Sequence, residues 1–406
     1  MIKAGTNQSV ARQSREVMRF EFATATRIIF GPGTISEAAS LSGGMGNRAF
    51  VVTGRTVERA EPFLERLDKH GIEYVTFNVS GEPTTTIASA AVQAARQAGC
   101  DLVISIGGGS VLDTGKVVAA MLTNRGELED YLEVVGAGRP LTLGAAPHIA
   151  IPTTAGTGAE VTRNAVLGVP EHRVKVSMRS HFMLPRLAVV DPVLTYSMPP
   201  SVTASTGLDA LTQLIEVYVS CQANPLTDGI CRQGLRRAGR SLRRAYEDSD
   251  DHDAREDMAM ASLFSGLGLA NARLGAVHGF AGPLGGMYSA PHGVICARLL
   301  PFVMEANVRA LRRRNATSPA LAKYDEAARL LTGSISALAA DAVTWVREIC
   351  LELKVPSLAR FELKQHDFET IAAKAKKSSS MKGNPVELTD DELLDIIRAA
   401  NSRTAT

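Results

Sequence analysis

Residues 101–122 read DLVISIGGGSVLDTGKVVAAML, in which an apolar run passes through three glycines directly into a helical pattern. A run of this kind is typical of a strand that is covered on both faces of a parallel sheet. Outward from it, NRAFVVTG at 47–54 and IEYVTFNVSG at 72–81 predict further strands, and each precedes a helical pattern. Strands and helices that alternate at this spacing indicate βαβ units on a parallel sheet.

The strand signal ends near the middle of the chain. HIAIPTT at 148–154 and RLAVVDP at 186–192 predict two more strands, and FEFATATRIIFGPG at 20–33 predicts a strand or a hairpin. After residue 195 the pattern is that of amphipathic or buried helices. We therefore expect an α/β domain over residues 1–196 and an all-α domain over residues 197–406.

The composition excludes a disordered or collagen-like chain. With 45% hydrophobic and 21% charged residues, the 406-residue chain has the profile of a folded globular protein. Its 44 basic and 42 acidic side chains leave a formal charge of +2, which gives no reason to expect a nucleic-acid partner. An arginine-rich stretch at 232–244 is followed at once by acids, so we interpret it as a solvated helix face.

Cysteine usage and hydropathy favour a protein of the reducing cytoplasm. The five cysteines are widely spaced and form no CxxC pair, so we expect neither a disulfide framework nor a thiolate zinc site. No apolar run reaches the roughly 18 residues of a membrane helix. The first 20 residues lack the apolar centre of a secretory signal, although their three arginines would also suit an organellar transit peptide.

Two small-residue loops follow strands. Gly107, Gly108, Gly109 and Ser110 lie where a strand gives way to a helix, so their N–H groups are placed to hold a diphosphate. The turn matches neither GxGxxG nor the P-loop, and a tight chain reversal is the alternative. IPTTAGTGAE at 151–160 ends the next strand. Because ligands bind at the carboxyl ends of parallel strands, two such loops indicate one nucleotide-sized ligand, against the alternative of an ordinary loop.

The helical half contains a candidate metal site. Asp209 and Gln213 are four residues apart, hence on one face of a helix, and His278 and His292 follow in glycine-rich segments. One carboxylate and two imidazoles suit a divalent first-row metal, and an aspartate among apolar helix residues needs a partner. The alternative is that each histidine has only a structural role.

Several long motifs in one order resemble the iron-containing, or group III, alcohol dehydrogenase family over almost the whole chain. They are FGPG, GGGSVLDTGK, IPTTAGTGAEVT, SMPPSVTASTGLDAL, the HGFA and PHG histidines, and SMKGNP. The resemblance implies a dehydroquinate synthase-like architecture: a Rossmann-like dinucleotide-binding domain, an all-α domain, and a metal in the cleft between them. It also implies a homo-oligomer and a small alcohol or aldehyde substrate.

The resemblance assigns the metal ligands to Asp209, Gln213, His278 and His292, of which Asp209, His278 and His292 would also serve catalysis. The family usually has histidine where this chain has Gln213. An amide oxygen is a weaker ligand than imidazole, so either three ligands hold zinc or iron, or the site binds no metal. A second difference is Gly282, where many relatives carry a histidine near the substrate. Its absence would enlarge the pocket and remove a proton-transfer group.

The resemblance also indicates how NAD or NADP would bind. The cofactor-binding residues would be Gly54, Arg55, Gly107, Gly108, Gly109, Ser110, Asp113, Thr153, Thr154 and Thr157. NAD-preferring members carry aspartate at the position of Gly54, and the acid accepts the ribose hydroxyls. Gly54 removes a charge that would repel a 2′-phosphate and Arg55 could attract one, unless Arg55 points to solvent. We therefore expect tolerance of NADP.

The function that follows is reversible hydride transfer between NAD(P)H and an aldehyde or ketone, with a divalent metal polarising the substrate oxygen. Two alternatives remain at this point. One is a metal-independent reductase that resembles the maleylacetate reductases. The other is a cofactor-binding protein that has lost catalysis, which the differences at Gln213 and Gly282 would motivate.

Overall fold

The computed structural model describes residues 19–402; most of the segment considered as a transit peptide, residues 1–18, lies outside this range. The strands are β1 Arg27–Phe30, β2 Arg48–Thr53, β3 Glu73–Asn78, β4 Leu102–Gly107, β5 His148–Pro152, β6 Asn164–Val169, β7 Val174–Arg179 and β8 Leu187–Val190. The helices are α1 Ile35–Ser42, α2 Glu61–Lys69, α3 Thr85–Gln97, α4 Gly109–Thr123, α5 Pro200–Val219, α6 Pro225–Glu247, α7 His252–Asn271, α8 Ala276–Met287, α9 His292–Arg314, α10 Pro319–Thr332, α11 Ala339–Glu352, α12 Phe368–Lys377 and α13 Asp390–Asn401.

Six strands form a parallel sheet in the order β1-β8-β5-β4-β2-β3, which confirms the predicted α/β half. Helices cover both faces: α1 and α2 pack in one apolar cluster, and α3 and α4 pack in another. Every residue of β4 is buried, as its continuous apolar run predicts. The chain crosses from one side of β2 to the other between β3 and β4. The carboxyl ends of β2 and β4 therefore flank a topological switch point, the usual place of a ligand in such sheets.

Two parts of the sequence interpretation are wrong in detail. Residues 20–33 contain only the short strand β1, which pairs in parallel with β8, so the hairpin alternative fails. The antiparallel pair β6–β7 was missed. In both strands buried side chains alternate with more exposed ones, and Gly168 and Pro170 interrupt the apolar run of this segment.

The remaining helices form the all-α half around one large apolar cluster. Helix α5 packs against α6, α7 and α9, and most of its length is buried. The arginines of α6 make ion pairs within the chain: Arg237 and Arg240 contact the Asp257 carboxylate at 2.6 and 2.5 Å. These contacts agree with the interpretation of the basic stretch as a helix face balanced by neighbouring acids. Between residues 19 and 402, every helix is too short or too polar to cross a membrane.

Candidate active site and metal centre

Close packing at the end of β4 requires two of its three glycines, Gly107 and Gly109. Gly108 has φ −75°, and neither Gly107 nor Gly109 has a positive φ, so the turn is not left-handed. A Cβ atom on Gly107 would lie 2.5 Å from the Val111 side chain, and one on Gly109 would lie 2.9 Å from Thr157. Because these glycines have no side chains, the N–H groups in the first turn of α4 are left uncovered. Such unpaired N–H groups at a helix N-terminus favour the binding of an anion.

The loop over residues 153–160 joins this turn to the helical half. The Thr153 N–H donates to the Gly107 carbonyl at 3.0 Å, and Thr154 lies beside Gly108. On its other side, a Cβ on Gly156 would lie 2.6 Å from Thr206 of α5. Gly158, at φ +60°, meets the backbone of Gly266 in α7. The structure therefore places the two predicted loops together and sets them against the helix that carries Asp209.

The other residues assigned to the cofactor lie at the same edge of the sheet. Gly54 follows β2, and a Cβ there would meet only Val111, at 3.9 Å. Arg55 is exposed next to it. The Asp113 carboxylate accepts hydrogen bonds from Lys116 Nζ at 3.1 Å and from the Val166 N–H at 2.9 Å. These contacts hold α4 against β6, and a cofactor contact of Asp113 stays a prediction.

Three of the four residues assigned to the metal meet at one point. Asp209 comes from α5, His278 from α8, and His292 from the first position of α9. The Oδ1 atom of Asp209 lies 3.4 Å from His278 Nε2 and 3.7 Å from His292 Nε2. Cys296, one turn beyond His292, completes a group whose ligand atoms all lie within 4.8 Å of one another. The sequence analysis missed Cys296.

Gln213 and Gly282 lie beside this cluster. The Gln213 Nε2 atom donates to Asp209 Oδ2 at 3.3 Å, so the amide contacts the carboxylate oxygen that does not face the histidines. Gly282 lies one turn beyond His278 in α8, and a Cβ there would meet no atom within 4 Å. A larger side chain at this position would project into open space, in agreement with the enlarged pocket expected from the sequence.

Glu216 orients His278, and it was also missed. Its Oε2 atom accepts from His278 Nδ1 at 2.6 Å, and its Oε1 atom accepts from the Val277 N–H at 2.7 Å. A carboxylate on one imidazole nitrogen directs the other nitrogen to a metal and increases its basicity. The signal was present in the sequence, because Glu216 lies seven residues after Asp209 and therefore on the same face of α5.

The electrostatics of the cluster fit a cation. Burial opposes ionisation of Asp209, but the two imidazoles beside it hold the pKa of its carboxyl below the usual value. Burial likewise opposes a charge on His278, yet Cys296, Glu216 and Asp209 raise its pKa well above the ordinary value. Asp209 Oδ1 and Gln213 Oε1 are buried without a hydrogen-bond partner. An unpartnered carboxylate oxygen beside two imidazoles forms a donor set that suits a divalent metal.

Comparisons with known proteins agree with this geometry. The family model for iron-containing alcohol dehydrogenase matches residues 25–192, and the model for the C-terminal part of the same family matches residues 203–401. The chain is 34% identical to the 1,3-propanediol dehydrogenase of Klebsiella pneumoniae, over 94% of this chain and 98% of that protein.

Solved structures of similar enzymes have the same fold. A crystal structure of 1,3-propanediol oxidoreductase, 34% identical, superposes with a TM-score of 0.86 over 94% of this chain and all of that one. Sulfoacetaldehyde reductase from Bifidobacterium kashiwanohense in complex with NAD+, 27% identical, superposes with a TM-score of 0.84 over 95% of this chain and all of that one. With its fold, its motifs and 94% of its length matched, the chain belongs to the iron-containing alcohol dehydrogenase family.

Proposed function

We propose that this oxidoreductase transfers hydride reversibly between NAD(P)H and a small aldehyde or ketone at the junction of its two halves. The observation that carries the proposal is the position of the 153–160 loop. This loop touches the glycine turn at Gly107–Gly109 on one side and, through Gly156, the helix of Asp209 on the other. A cofactor held at the turn would therefore extend toward the buried Asp209 and His278 and the partly exposed His292.

In this proposal, different residues of the site bind the metal, orient a metal ligand and bind the cofactor. Asp209, His278 and His292 would hold the divalent metal, which when bound supplies a Lewis acid for the substrate oxygen. Glu216 keeps the Nε2 atom of His278 directed at the site. The backbone of Gly107–Gly109 and the hydroxyl of Ser110 bind the diphosphate, while Thr153, Thr154 and Thr157 line the nicotinamide side. The nicotinamide cofactor supplies or accepts the hydride, and the protein supplies its position.

The two alternatives considered from the sequence are not favoured. The relatives of this chain carry the names of alcohol and propanediol dehydrogenases, and the acid and both histidines of the site are retained and brought together. The homo-oligomer and the cytoplasmic location stay predictions.

Nicotinamide fluorescence with a panel of short alcohols, aldehydes and ketones tests the function. We expect turnover that a strong chelator abolishes and that added Zn²⁺ or Fe²⁺ restores, because the carboxylate and the two imidazoles would act through the cation they hold. No turnover with any member of the panel, at saturating cofactor and with either metal, would contradict the proposal. Reduction of a keto acid that the chelator leaves unchanged would favour the metal-independent alternative.

We further propose that NADP is accepted, and Gly54→Asp tests this. The new carboxylate fits, since a Cβ at Gly54 has only one contact, at 3.9 Å. It would repel a 2′-phosphate at a cost of about 2 kcal/mol, which corresponds to about a 30-fold rise in KM for NADP. KM for NAD should change far less. Gly54→Asn is the neutral control of the same size, and an equal rise in both variants would remove charge as the cause.

A further inference from the structure

Cys296 places a thiol inside the candidate metal site. It follows His292 by four residues in α9, so the two side chains leave the helix on the same face. Cys296 is fully buried, and its Sγ atom lies 3.7 Å from the Nε2 atoms of both His278 and His292. The thiol therefore faces the same point as the imidazole nitrogens and Asp209 Oδ1.

Four of the six separations between these atoms match those of ligands around one small cation, and all six lie within 4.8 Å. A tetrahedral zinc ion with ordinary bond lengths keeps a sulfur and a nitrogen ligand about 3.6 Å apart, and an oxygen and a nitrogen ligand about 3.4 Å apart. The structure has 3.7 Å for both sulfur–nitrogen pairs, and 3.4 and 3.7 Å for the two oxygen–nitrogen pairs. A cation could thus contact all four groups without rearrangement of the helices.

Gln213 is the competing ligand, and it is the poorer one. Its amide nitrogen bonds to Asp209 Oδ2 and has no lone pair for a metal, so only the weak donor Oε1 remains. A cysteine sulfur binds as thiolate, which is a strong ligand for zinc and a poor one for hard cations. We propose that Cys296, rather than Gln213, is the fourth protein ligand, and that the set Asp209, His278, His292 and Cys296 favours zinc. This inference rests on the metal site of the proposed function.

X-ray absorption at the zinc edge tests the ligand set without any need for turnover. Protein stripped of metal receives one equivalent of Zn²⁺, and exposed Cys221 is first replaced by serine so that no adventitious thiol contributes. We expect one sulfur at about 2.3 Å together with nitrogen and oxygen ligands. A shell of nitrogen and oxygen alone would overturn the inference. This measurement does not depend on the folding of a site variant.

Cobalt substitution gives a second, optical readout. The Co²⁺ form should show a thiolate-to-cobalt charge-transfer band that Cys296→Ser removes. Cys350→Ser should keep the band, because Cys350 is also buried but its thiol donates to the Ala297 carbonyl. A band that survives Cys296→Ser, or that Cys350→Ser removes, would contradict the assignment. The ligand set and the reaction are tested separately. If zinc is bound by sulfur but the protein shows no turnover, the proposed reaction is wrong and the proposed ligand set stands.

Discussion

Replacing Asp209 by asparagine is expected to lower kcat/KM about a thousandfold, a loss of about 4 kcal/mol of transition-state stabilisation. The amide keeps the size of the side chain but removes the negative charge that two imidazole nitrogens face at 3.4 and 3.7 Å. Without that charge, a cation in this buried site would lose its anionic oxygen ligand. Steady-state kinetics and elemental analysis of the same samples would measure both effects, and metal content should fall with activity.

A matched substitution separates this effect from a general loss of charge. Asp228 of α6 pairs with Lys323 at 2.7 Å, away from the cluster, and Asp228→Asn should leave both metal content and kcat/KM close to those of the unmodified protein. If Asp209→Asn retains its metal and its full rate, the assigned site is wrong. If both variants lose metal equally, the loss comes from stability rather than from ligation.

His148 should contribute a loss of unfolding free energy as the pH is lowered below neutrality. His148 lies in β5, 3% exposed, and its Nε2 atom is 2.9 Å from the Ser105 hydroxyl of β4. Burial, reinforced by the nearby Lys116 ammonium, lowers the pKa of His148 from 6.5 to about 3. Below pH 6.5 the unfolded chain therefore binds a proton that the folded protein excludes. The stability linked to the neutral ring is complete above pH 6.5 and is lost as the pH falls toward 3.

His148→Gln isolates this contribution. Glutamine does not titrate and its amide can still bond to Ser105, whereas the wild-type ring should cost about 2 kcal/mol between pH 6.5 and 5. Urea unfolding at pH 7 and at pH 5 should thus show a smaller loss of stability in the variant by about that amount. The same substitution at exposed His172 is the control. Equal losses in His148→Gln and wild type would contradict the assignment.

The parallel sheet was predictable because each of its buried strands is a short β-branched run that ends in a turn. The run at 102–107 and the glycines after it place a strand end, a helix start and an anion site within a few residues. The pair β6–β7 was missed because Gly168 and Pro170 interrupt the apolar run of β6 and because apolar and polar residues alternate in β7. Strand β1 was predicted, but the alternation over residues 20–30 predicts a longer strand than the one that pairs with β8.

The candidate site was predictable only in part. Asp209, Gln213, His278 and His292 follow from motifs, but their convergence depends on how α5, α8 and α9 pack, which local sequence does not specify. Cys296 and Glu216 were in principle accessible, because each lies at helical spacing from an assigned residue. The search for CxxC pairs could not identify Cys296 as a candidate metal ligand. The groups near its thiol are one carboxylate and two imidazoles, and no second cysteine belongs to this group.

The contact between Gly158 and Gly266 has a consequence for how this enzyme can diverge. A Cβ on Gly158 would lie 2.4 Å from the Gly266 Cα, so main chain rests directly on main chain where the two halves meet. In the proposed function, this backbone contact, rather than any ligand side chain, would set the distance between a coenzyme bound at the glycine turn and a cation bound at Asp209. A change of one metal-ligand residue for another could therefore alter which metal is bound, while the coenzyme and the substrate keep their relative positions.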